Sequence, residues 1–588
     1  MSTSAVPVPD PFSRAATGNP LARGLRLAAL VVGTFAAYAG VTAWLSPEVT
    51  STLTGYFLIR QDAPVLALLA GGLWAAASLP ARRVPLNLSS PIGLKVVLAI
   101  AALIVLVGTP VATLNEPLVL DEVMALFDAR IFREGRLLAP VPPEWRPYLP
   151  ALQPHIFGLK VPDNAGWASS YLPVNAGLQA LLGGIDWPGL PGLLLLGTAL
   201  IALWAIARRI WPARPDAALV AVVLLASSSQ VLLTAMTPFA MTAHLAFNLV
   251  WLWLVLRGTP WSHAGALTLG FLACGLHQVV FHPLFAAPFV LGFWLDGRRR
   301  LAALYAIVYA AFGLFWVLYS TYPPALGEVA AASAADGPGQ FLRRMERLMD
   351  PAQIFSEFMI ANLARFAAWQ NPLTLVLVLA ATAGGFANWP PIVRRALWGF
   401  LLTLSAMALL LPYQGHGWGY RYVHGCLGGL ALVAAQGWVK ATEWGGVSAE
   451  RLRVGLVVSV AATLAILLPV HVWQARSYAQ PYAAAVRAMA DGQADVVVVE
   501  DQAIWYGHAL VRNEPFLRQG PKVMALRFLD EADIARLCAR YAVRVFDQQT
   551  ATSFGLLLAS GAADSGPRLP RERLRDLGCQ DWNVRGKG

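Results

Sequence analysis

Val96-Val97-Leu98-Ala99-Ile100 opens an apolar segment that ends at Val111-Ala112-Thr113-Leu114, and the acid pair Asp121-Glu122 follows a few residues later. An apolar run of about twenty residues matches the ~30 Å hydrocarbon core of a bilayer. Because the bilayer interior offers the backbone no hydrogen-bonding partners, such a segment must be helical. An acid pair just beyond it must be solvated, paired or used in chemistry. This stretch therefore indicates both the fold class and a candidate site.

The rest of the chain repeats the apolar pattern. Its 588 residues are 57% hydrophobic and only 13% charged, with a mean hydropathy of +0.55, whereas soluble proteins carry about 25% charged residues. A membrane β-barrel would instead show short alternating segments. The net charge of +11 is concentrated in short loops between apolar segments, which is typical of membrane topology rather than of nucleic-acid binding. We therefore predict a polytopic α-helical membrane protein.

Window length and flanking charge predict about thirteen transmembrane helices. The predicted spans are 25–45, 63–80, 94–114, 189–210, 216–234, 238–256, 262–280, 282–296, 301–321, 372–390, 396–412, 423–440 and 454–474. With this count the arginine-rich loops fall on one side, which the positive-inside rule assigns to the cytoplasm. The prediction is a multi-pass protein of the bacterial inner membrane with a cytoplasmic N-terminus and an extracytoplasmic C-terminal region.

This topology divides the chain into three parts. Residues 1–24 are predicted to be a cytoplasmic segment, and 25–474 a transmembrane domain with external loops at 115–188 and 322–371. Residues 475–588 are predicted to form a small extracytoplasmic α/β domain, because 494–500, 523–526 and 543–546 are strand-like and Asp530 can cap a helix over 532–541. A role in stability or acceptor positioning is favoured for this domain over catalysis. Cys538 and Cys579 can pair if it faces an oxidising compartment.

Asp121 and Glu122 are the first candidates for chemistry. Adjacent helical residues point about 100° apart, so the two carboxylates are unsuited to binding one metal ion together. A carboxylate that faces a partly dry pocket gains basicity and suits a general base. Asp128, seven residues beyond Asp121, would share its face. The alternative is that the pair lies in interfacial water, beside Arg130 or Arg133.

A second candidate site is Tyr413-Gln414-Gly415-His416-Gly417-Trp418-Gly419-Tyr420-Arg421-Tyr422, in a short loop predicted to be external. Its three glycines permit a tight turn and a close approach to a ligand. The planar guanidinium of Arg421 matches phosphate oxygens, and His416 can donate to the same group. The alternative is an interfacial aromatic belt with a solvated arginine.

Histidines 244, 277 and 282 lie in or near predicted spans without a recognised zinc-binding spacing. Each is more commonly a hydrogen-bonded interior histidine than a metal ligand, although His282 stays a candidate for lining a shared cavity. Walker, dinucleotide-binding, CxxC and GxSxG motifs are absent from the sequence. Their absence argues against a nucleotide-driven pump and against a glycosyltransferase that uses nucleotide sugars.

The segment Leu120-Asp121-Glu122, continued by Ala125 to Gly135, resembles the first external loop of GT-C superfamily glycosyltransferases. The protein O-mannosyltransferase and lipid A aminoarabinose transferase branch is the most similar. Ser170-Tyr171-Leu172-Pro173 resembles the aromatic-proline step that ends this loop, and Gly417 to Tyr422 resembles a late external loop. The likeness covers about 94–474. This chain departs from the family in having two additional spans before the acid pair and no DxD-like metal motif.

The resemblance implies an enzyme that moves a sugar from a polyprenyl-phosphate carrier to an extracytoplasmic glycan, lipid or protein by inverting displacement. Asp121 would be the base and Glu122 would orient the acceptor or the base. Arg421 and His416 would bind the departing lipid phosphate, in a site completed by the residues Tyr420, Tyr422, His282 and Tyr171. Membrane lipids are the other expected partner, nucleic acid is not expected, and neither a cofactor nor a metal is predicted.

Two other functions stay open from the sequence. A transporter or flippase of lipid-linked saccharides would be expected to show inverted repeats and charges near the membrane centre, and neither pattern is evident. A non-catalytic envelope assembly protein would leave Asp121 dispensable.

Overall fold

The structure is a computed structural model, and it describes residues 20–45, 52–78, 88, 92–153, 162–321, 357–383, 385–386, 388–443, 446–490, 494–559 and 576–577. Most of the predicted cytoplasmic segment 1–24, residues 322–356 of the second predicted external loop, and Cys579 lie outside these residues.

Helices occupy every segment predicted to span the membrane. Their bounds are Pro20–Leu45, 53–76, Ile92–Thr113, Gly189–Ile210, Pro215–Ala226, Ser229–Ala235, Met241–Arg257, Pro260–Cys274, Phe281–Leu295, Arg299–Thr321, Pro372–Ala383, Pro391–Leu410, Leu427–Glu443 and 446–490. Among the described residues, six helices are long and apolar enough to cross a bilayer, or up to eight if each bent helix pair is one span. The multi-pass helical architecture is therefore confirmed, while the count of thirteen spans stays a prediction.

Two of these segments are broken helices. The predicted span 216–234 bends by 61° between Ala226 and Ser229, where the Ser228 side chain accepts a hydrogen bond from the Val231 amide and starts a new helix. A second bend of 107° separates Pro372–Ala383 from a preceding helix, Glu357–Trp369. The latter helix lies within the segment predicted as the second external loop, and it carries a buried arginine that supports the candidate site.

The C-terminal region contains a three-stranded parallel sheet with Val496–Val499 at its centre, between Lys522–Ala525 and Val543–Phe546. All four central valines are fully buried, which accounts for their uninterrupted β-branched run. Helix Glu531–Arg540 begins with a capping box formed by Asp530 and Asp533, and a shorter helix follows at Gln548–Ser553. These strands and the first helix lie at the positions that the sequence predicts, while a separate α/β domain over 475–588 stays a prediction.

This sheet shares a hydrophobic core with the segment after the Ile92–Thr113 helix. That segment forms helix Leu120–Arg133, a strand pair Ala139–Pro140 with Gly166–Trp167, and helices Leu149–Leu152 and Pro173–Leu181. Phe127 and Trp167 pack in the same buried cluster as Val496, Val498 and Met524. The Trp167 indole N–H donates to the Pro515 carbonyl at 2.5 Å. The C-terminal region therefore fixes the helix that carries the acid pair. Cys538 in this region is disulfide-bonded, and its pairing with Cys579 stays a prediction.

Candidate active site

Asp121 and Arg421 form an ion pair between the two segments singled out in the sequence. Asp121 lies in the first turn of Leu120–Arg133, and Arg421 begins a short 3-10 helix, Arg421–Cys426. One Arg421 Nη donates to Asp121 Oδ2, and the Tyr171 hydroxyl donates to Oδ1. Only 10% and 15% of the arginine and aspartate side chains are exposed, so water screens their attraction weakly. Asp121 is therefore paired with Arg421, and not with Arg130 or Arg133.

The charges in this pair hold each other ionised. Burial raises the pKa of Asp121, but Arg421, His277 and the Tyr171 hydroxyl together outweigh it and leave the pKa below its usual value. Burial alone would lower the pKa of Arg421, yet the adjacent Asp121 carboxylate raises it overall. Both groups are consequently charged at neutral pH, and Asp121 is a weak base for as long as Arg421 is its partner.

A cavity of about 280 Å³ opens beside this ion pair. It is bounded by three parts of the chain. These are the start of helix Leu120–Arg133, which carries the acid pair, the segment 413–422, here called the glycine-rich loop, and the C-terminal region. Its lining residues include Leu118, Asp121, Tyr413, His416, Arg421, Tyr422, Tyr478, Tyr482, Tyr506 and His508. Among the described residues, the cavity thus combines one carboxylate, one guanidinium, two imidazoles and five phenol rings, a lining suited to a polar ligand with apolar faces.

The glycines of the loop are required by its geometry. Gly415 and Gly419 have φ of +65° and +68°, a left-handed conformation that other residues adopt at a cost. A Cβ on Gly417 would lie 2.8 Å from Cδ of Arg421. The third glycine therefore makes room for the arginine side chain.

The buried side chain of Arg365 is hydrogen-bonded to the backbone of this loop. Its Nη2 donates to the Gly417 carbonyl at 2.7 Å and its Nε to the Gly419 carbonyl at 3.2 Å. Its Nη1 pairs with Asp62 at 3.1 Å, and both side chains are almost completely buried. Sequence reasoning missed this pair, although a buried charge in an apolar segment is a recognisable signal of function. Arg365 falls within 322–371, the segment that the sequence predicts to be an external loop, and Asp62 lies just outside the predicted span 63–80.

Glu122 points away from the cavity. Its Oε2 accepts a hydrogen bond from the Leu118 amide at 2.5 Å, and Arg512 donates to the carbonyls of Pro117 and Leu118 beside it. Burial raises the pKa of Glu122 to about 8 against the opposing effects of the Leu118 amide and Arg512. The carboxyl is therefore largely protonated at neutral pH. This placement supports the segment before Asp121 rather than contacting a ligand.

The other predicted ligand-binding residues divide into two groups. His416 and Tyr422 line the cavity, and neither ring nitrogen of His416 has a hydrogen-bond partner among the described residues. Burial, reinforced by Arg365 and Arg421, lowers the pKa of His416 well below its usual value, so the ring is neutral.

Tyr420 and His282 lie in the interior instead. Tyr420 is fully buried and its hydroxyl approaches the sulfur of Met359 at 3.8 Å. The His282 ring bonds to Asn248 Oδ1 at 2.7 Å and to the Tyr309 hydroxyl at 2.6 Å. Neither residue lines the 280 Å³ cavity, so His282 is a hydrogen-bonded interior histidine rather than part of the cavity wall.

Asp121 also faces a small cavity of about 10 Å³ on its other side, together with Asp128, Tyr171 and His277. Asp128 therefore shares the face of Asp121, as its spacing predicted. The Ser169 amide and hydroxyl donate to its two oxygens at 2.9 and 2.6 Å. Burial nevertheless raises the pKa of Asp128 to about 6. Within the part of the chain that the structure describes, no three His, Cys, Asp or Glu side chains are grouped to hold a metal ion.

No family model and no curated protein matches the sequence. Similar solved structures include ArnT from Cupriavidus metallidurans bound to undecaprenyl phosphate, at 14% identity and a TM-score of 0.45, over 74% of this chain and 86% of that one. The Archaeoglobus fulgidus oligosaccharyltransferase with a tethered acceptor peptide matches at 13% identity and TM-score 0.39, over 74% and 64%. The arabinofuranosyltransferase AftD from Mycobacteria matches at 15% and 0.34, over 75% and 32%.

None of these three matches exceeds 15% sequence identity or a TM-score of 0.45. Their identities and scores are low, so the likeness assigns neither a substrate nor a reaction to this chain.

Proposed function

We propose that this protein is an integral membrane glycosyltransferase that moves a sugar from a polyprenyl-phosphate carrier to an acceptor outside the cytoplasm. The acceptor class is a cell-surface glycan, a lipid or a protein. The observation that carries the proposal is the Asp121–Arg421 pair on the wall of the 280 Å³ cavity. One member can accept a proton and the other can bind a phosphate, which are the two groups that this displacement requires.

The proposed reaction is a single inverting displacement. Asp121 removes the proton from an acceptor hydroxyl while that oxygen attacks the anomeric carbon of the sugar. The bond from this carbon to the phosphate oxygen breaks, and the lipid phosphate leaves with the bonding electrons. Arg421 stabilises the charge on the phosphate, with His416 as a further donor from the same wall.

Donor binding would itself activate the base. In the structure Arg421 is engaged by Asp121, and its buried Nε has no hydrogen-bond partner among the described residues. A donor phosphate that binds the guanidinium neutralises much of the positive charge beside Asp121. The pKa of Asp121 then rises, because burial is no longer opposed by an unshared cation. Asp121 becomes a competent base when the donor is in place.

Transfer of radiolabelled sugar from polyprenyl phosphate to envelope fractions tests this proposal. Asp121→Asn keeps the shape of the side chain and removes the base, so we expect transfer to fall about 10²- to 10⁴-fold. Arg421→Lys keeps the charge but loses the planar guanidinium, and we expect about a 10²-fold loss. Arg133→Lys is the matched control, because Arg133 pairs with Asp186 on the surface outside the cavity.

Three results are informative. Full transfer by Asp121→Asn would overturn the assignment of the base. Movement of labelled lipid across the membrane without sugar transfer, in wild type and variant alike, would favour the transporter. Loss of transfer in Arg133→Lys equal to that in Arg421→Lys would show that the assay reports folding rather than the site.

A further inference from the structure

The stretch 503–511 of the C-terminal region is buried at every position except Tyr506 and His508. Both of these side chains line the 280 Å³ cavity, and their ring centroids lie 5.5 Å apart. The two partly exposed side chains of an otherwise buried segment therefore both contribute to the cavity wall. A role in stability, one of the two roles predicted for this region beside acceptor positioning, does not by itself require that arrangement.

The backbone at Tyr506 supports the same conclusion. Its φ is +52°, which is uncommon for a bulky side chain and is found mainly where the surrounding structure imposes it, as at ligand sites. The next residue, Gly507, is tightly packed, since a Cβ there would lie 2.5 Å from the Asp501 carbonyl oxygen. The close packing at Gly507 therefore helps to fix the direction of the Tyr506 ring.

Tyr413 of the glycine-rich loop completes this part of the wall. Its hydroxyl lies 2.9 Å from that of Tyr506, so the loop that carries Arg421 and the C-terminal region are joined at the cavity. Tyr413 is 42% exposed. Two phenol rings and an imidazole from separate parts of the chain therefore surround the same space as the Asp121–Arg421 pair.

We propose that Tyr506, His508 and Tyr413 form a saccharide-binding wall. The inference rests on the proposed function and assigns part of its substrate recognition to the C-terminal region. A sugar ring presents apolar C–H faces that pack on aromatic rings, while its hydroxyls bond to phenol and imidazole groups. The saccharide is the sugar of the lipid-linked donor or a sugar of a glycan acceptor.

Binding to the purified full-length protein tests the wall without requiring turnover. The probes are undecaprenyl phosphate, undecaprenyl phosphate bearing glucose, mannose or arabinose, and envelope glycan extracted from cells that lack the gene. We expect Tyr506→Leu and His508→Ala each to weaken binding of a sugar-bearing probe about three- to tenfold, the range for one aromatic contact. Binding of undecaprenyl phosphate should be unchanged.

Two variants serve as controls. Tyr506→Phe keeps the ring and removes the hydroxyl bridge to Tyr413, so it should retain most of the stacking. Tyr541→Leu makes the same change as Tyr506→Leu in the same region, but Tyr541 stacks on Trp145 away from the cavity. We expect it to leave the binding of every probe unchanged.

The outcomes separate the two sources of the sugar. Weaker binding of a sugar-bearing lipid alone identifies the donor sugar, whereas weaker binding of the glycan alone identifies the acceptor. The proposal is overturned if Tyr506→Leu weakens undecaprenyl phosphate and the sugar-bearing lipids equally, or if no saccharide probe is affected. Absence of sugar transfer by the wild type would overturn the proposed function, but it would leave this binding test readable.

Discussion

Arg365 and Asp62, 303 residues apart in the chain, form a buried ion pair whose arginine also bonds to the carbonyl oxygens of Gly417 and Gly419. The Trp369 indole donates to the second oxygen of Asp62 at 2.8 Å. This pair links the helical segment 53–76 to the loop that carries Arg421. Arg365 is thus a positioning residue for the guanidinium that the proposed reaction uses.

We expect Arg365→Met to reduce stability and transfer together. Removing one partner of a buried ion pair leaves an uncompensated charge and costs about 3 kcal/mol or more. Adding Asp62→Asn removes that charge while keeping an acceptor for Trp369, so the double variant should regain thermal stability in detergent. Its transfer should stay low, because the two glycine carbonyls still lack their donor. Recovery of transfer along with stability would contradict a positioning role.

The pH dependence of transfer should report the pairing of Asp121. Arg421 is the strongest influence that lowers the pKa of Asp121 against its burial. In Arg421→Gln this pKa should therefore rise, and Asp121 should become protonated at a higher pH than in the wild type. The acidic limb of residual kcat/KM against pH is expected to move upward, with a smaller shift in Tyr171→Phe. An unmoved limb in both variants would exclude Asp121 as the titrating base.

Glu122→Gln should leave the rate of sugar transfer at pH 7 almost unchanged, because the wild-type carboxyl is largely protonated at that pH. Burial raises its pKa in the folded protein to about 8, above the ordinary glutamate value of 4.5. The folded state then binds the proton more tightly than the unfolded state. The contribution of the Glu122 carboxyl to stability is therefore complete below about pH 4.5 and is lost as the pH rises through about 8.

The free energy of unfolding, measured between about pH 4.5 and pH 8, should therefore decrease less steeply with rising pH in Glu122→Gln than in the wild type. A large loss of transfer at pH 7 with an unchanged stability profile would instead support the orienting role predicted for Glu122 from the sequence.

His282→Gln should lower stability without changing donor recognition. The ring links Asn248 to Tyr309, and Asn248 in turn donates to the Gly425 carbonyl at 2.9 Å. Loss of buried hydrogen bonds costs about 1–3 kcal/mol, so the unfolding temperature should fall. The KM for the lipid-linked donor should stay at the wild-type value. A raised KM with unchanged stability would instead support the sequence-based assignment of His282 to the lipid-phosphate-binding site.

The sequence by itself determined the helical membrane class, the strands of the C-terminal region and the two segments that supply Asp121 and Arg421. These follow from local signals: apolar length, β-branched runs, and the isolation of charged residues among apolar ones. The separation of Asp121 from Glu122 onto different faces was also predictable, because it follows from the helical repeat.

Only the tertiary structure decided which charges meet. Asp121 pairs with Arg421, Asp62 with Arg365, and Glu122 faces its own preceding loop. It also decided that His282 and Tyr420 lie in the interior, while Tyr506 and His508 reach the cavity. These relationships join residues that are distant in the chain, and their energies depend on burial and on distance, which no local pattern records.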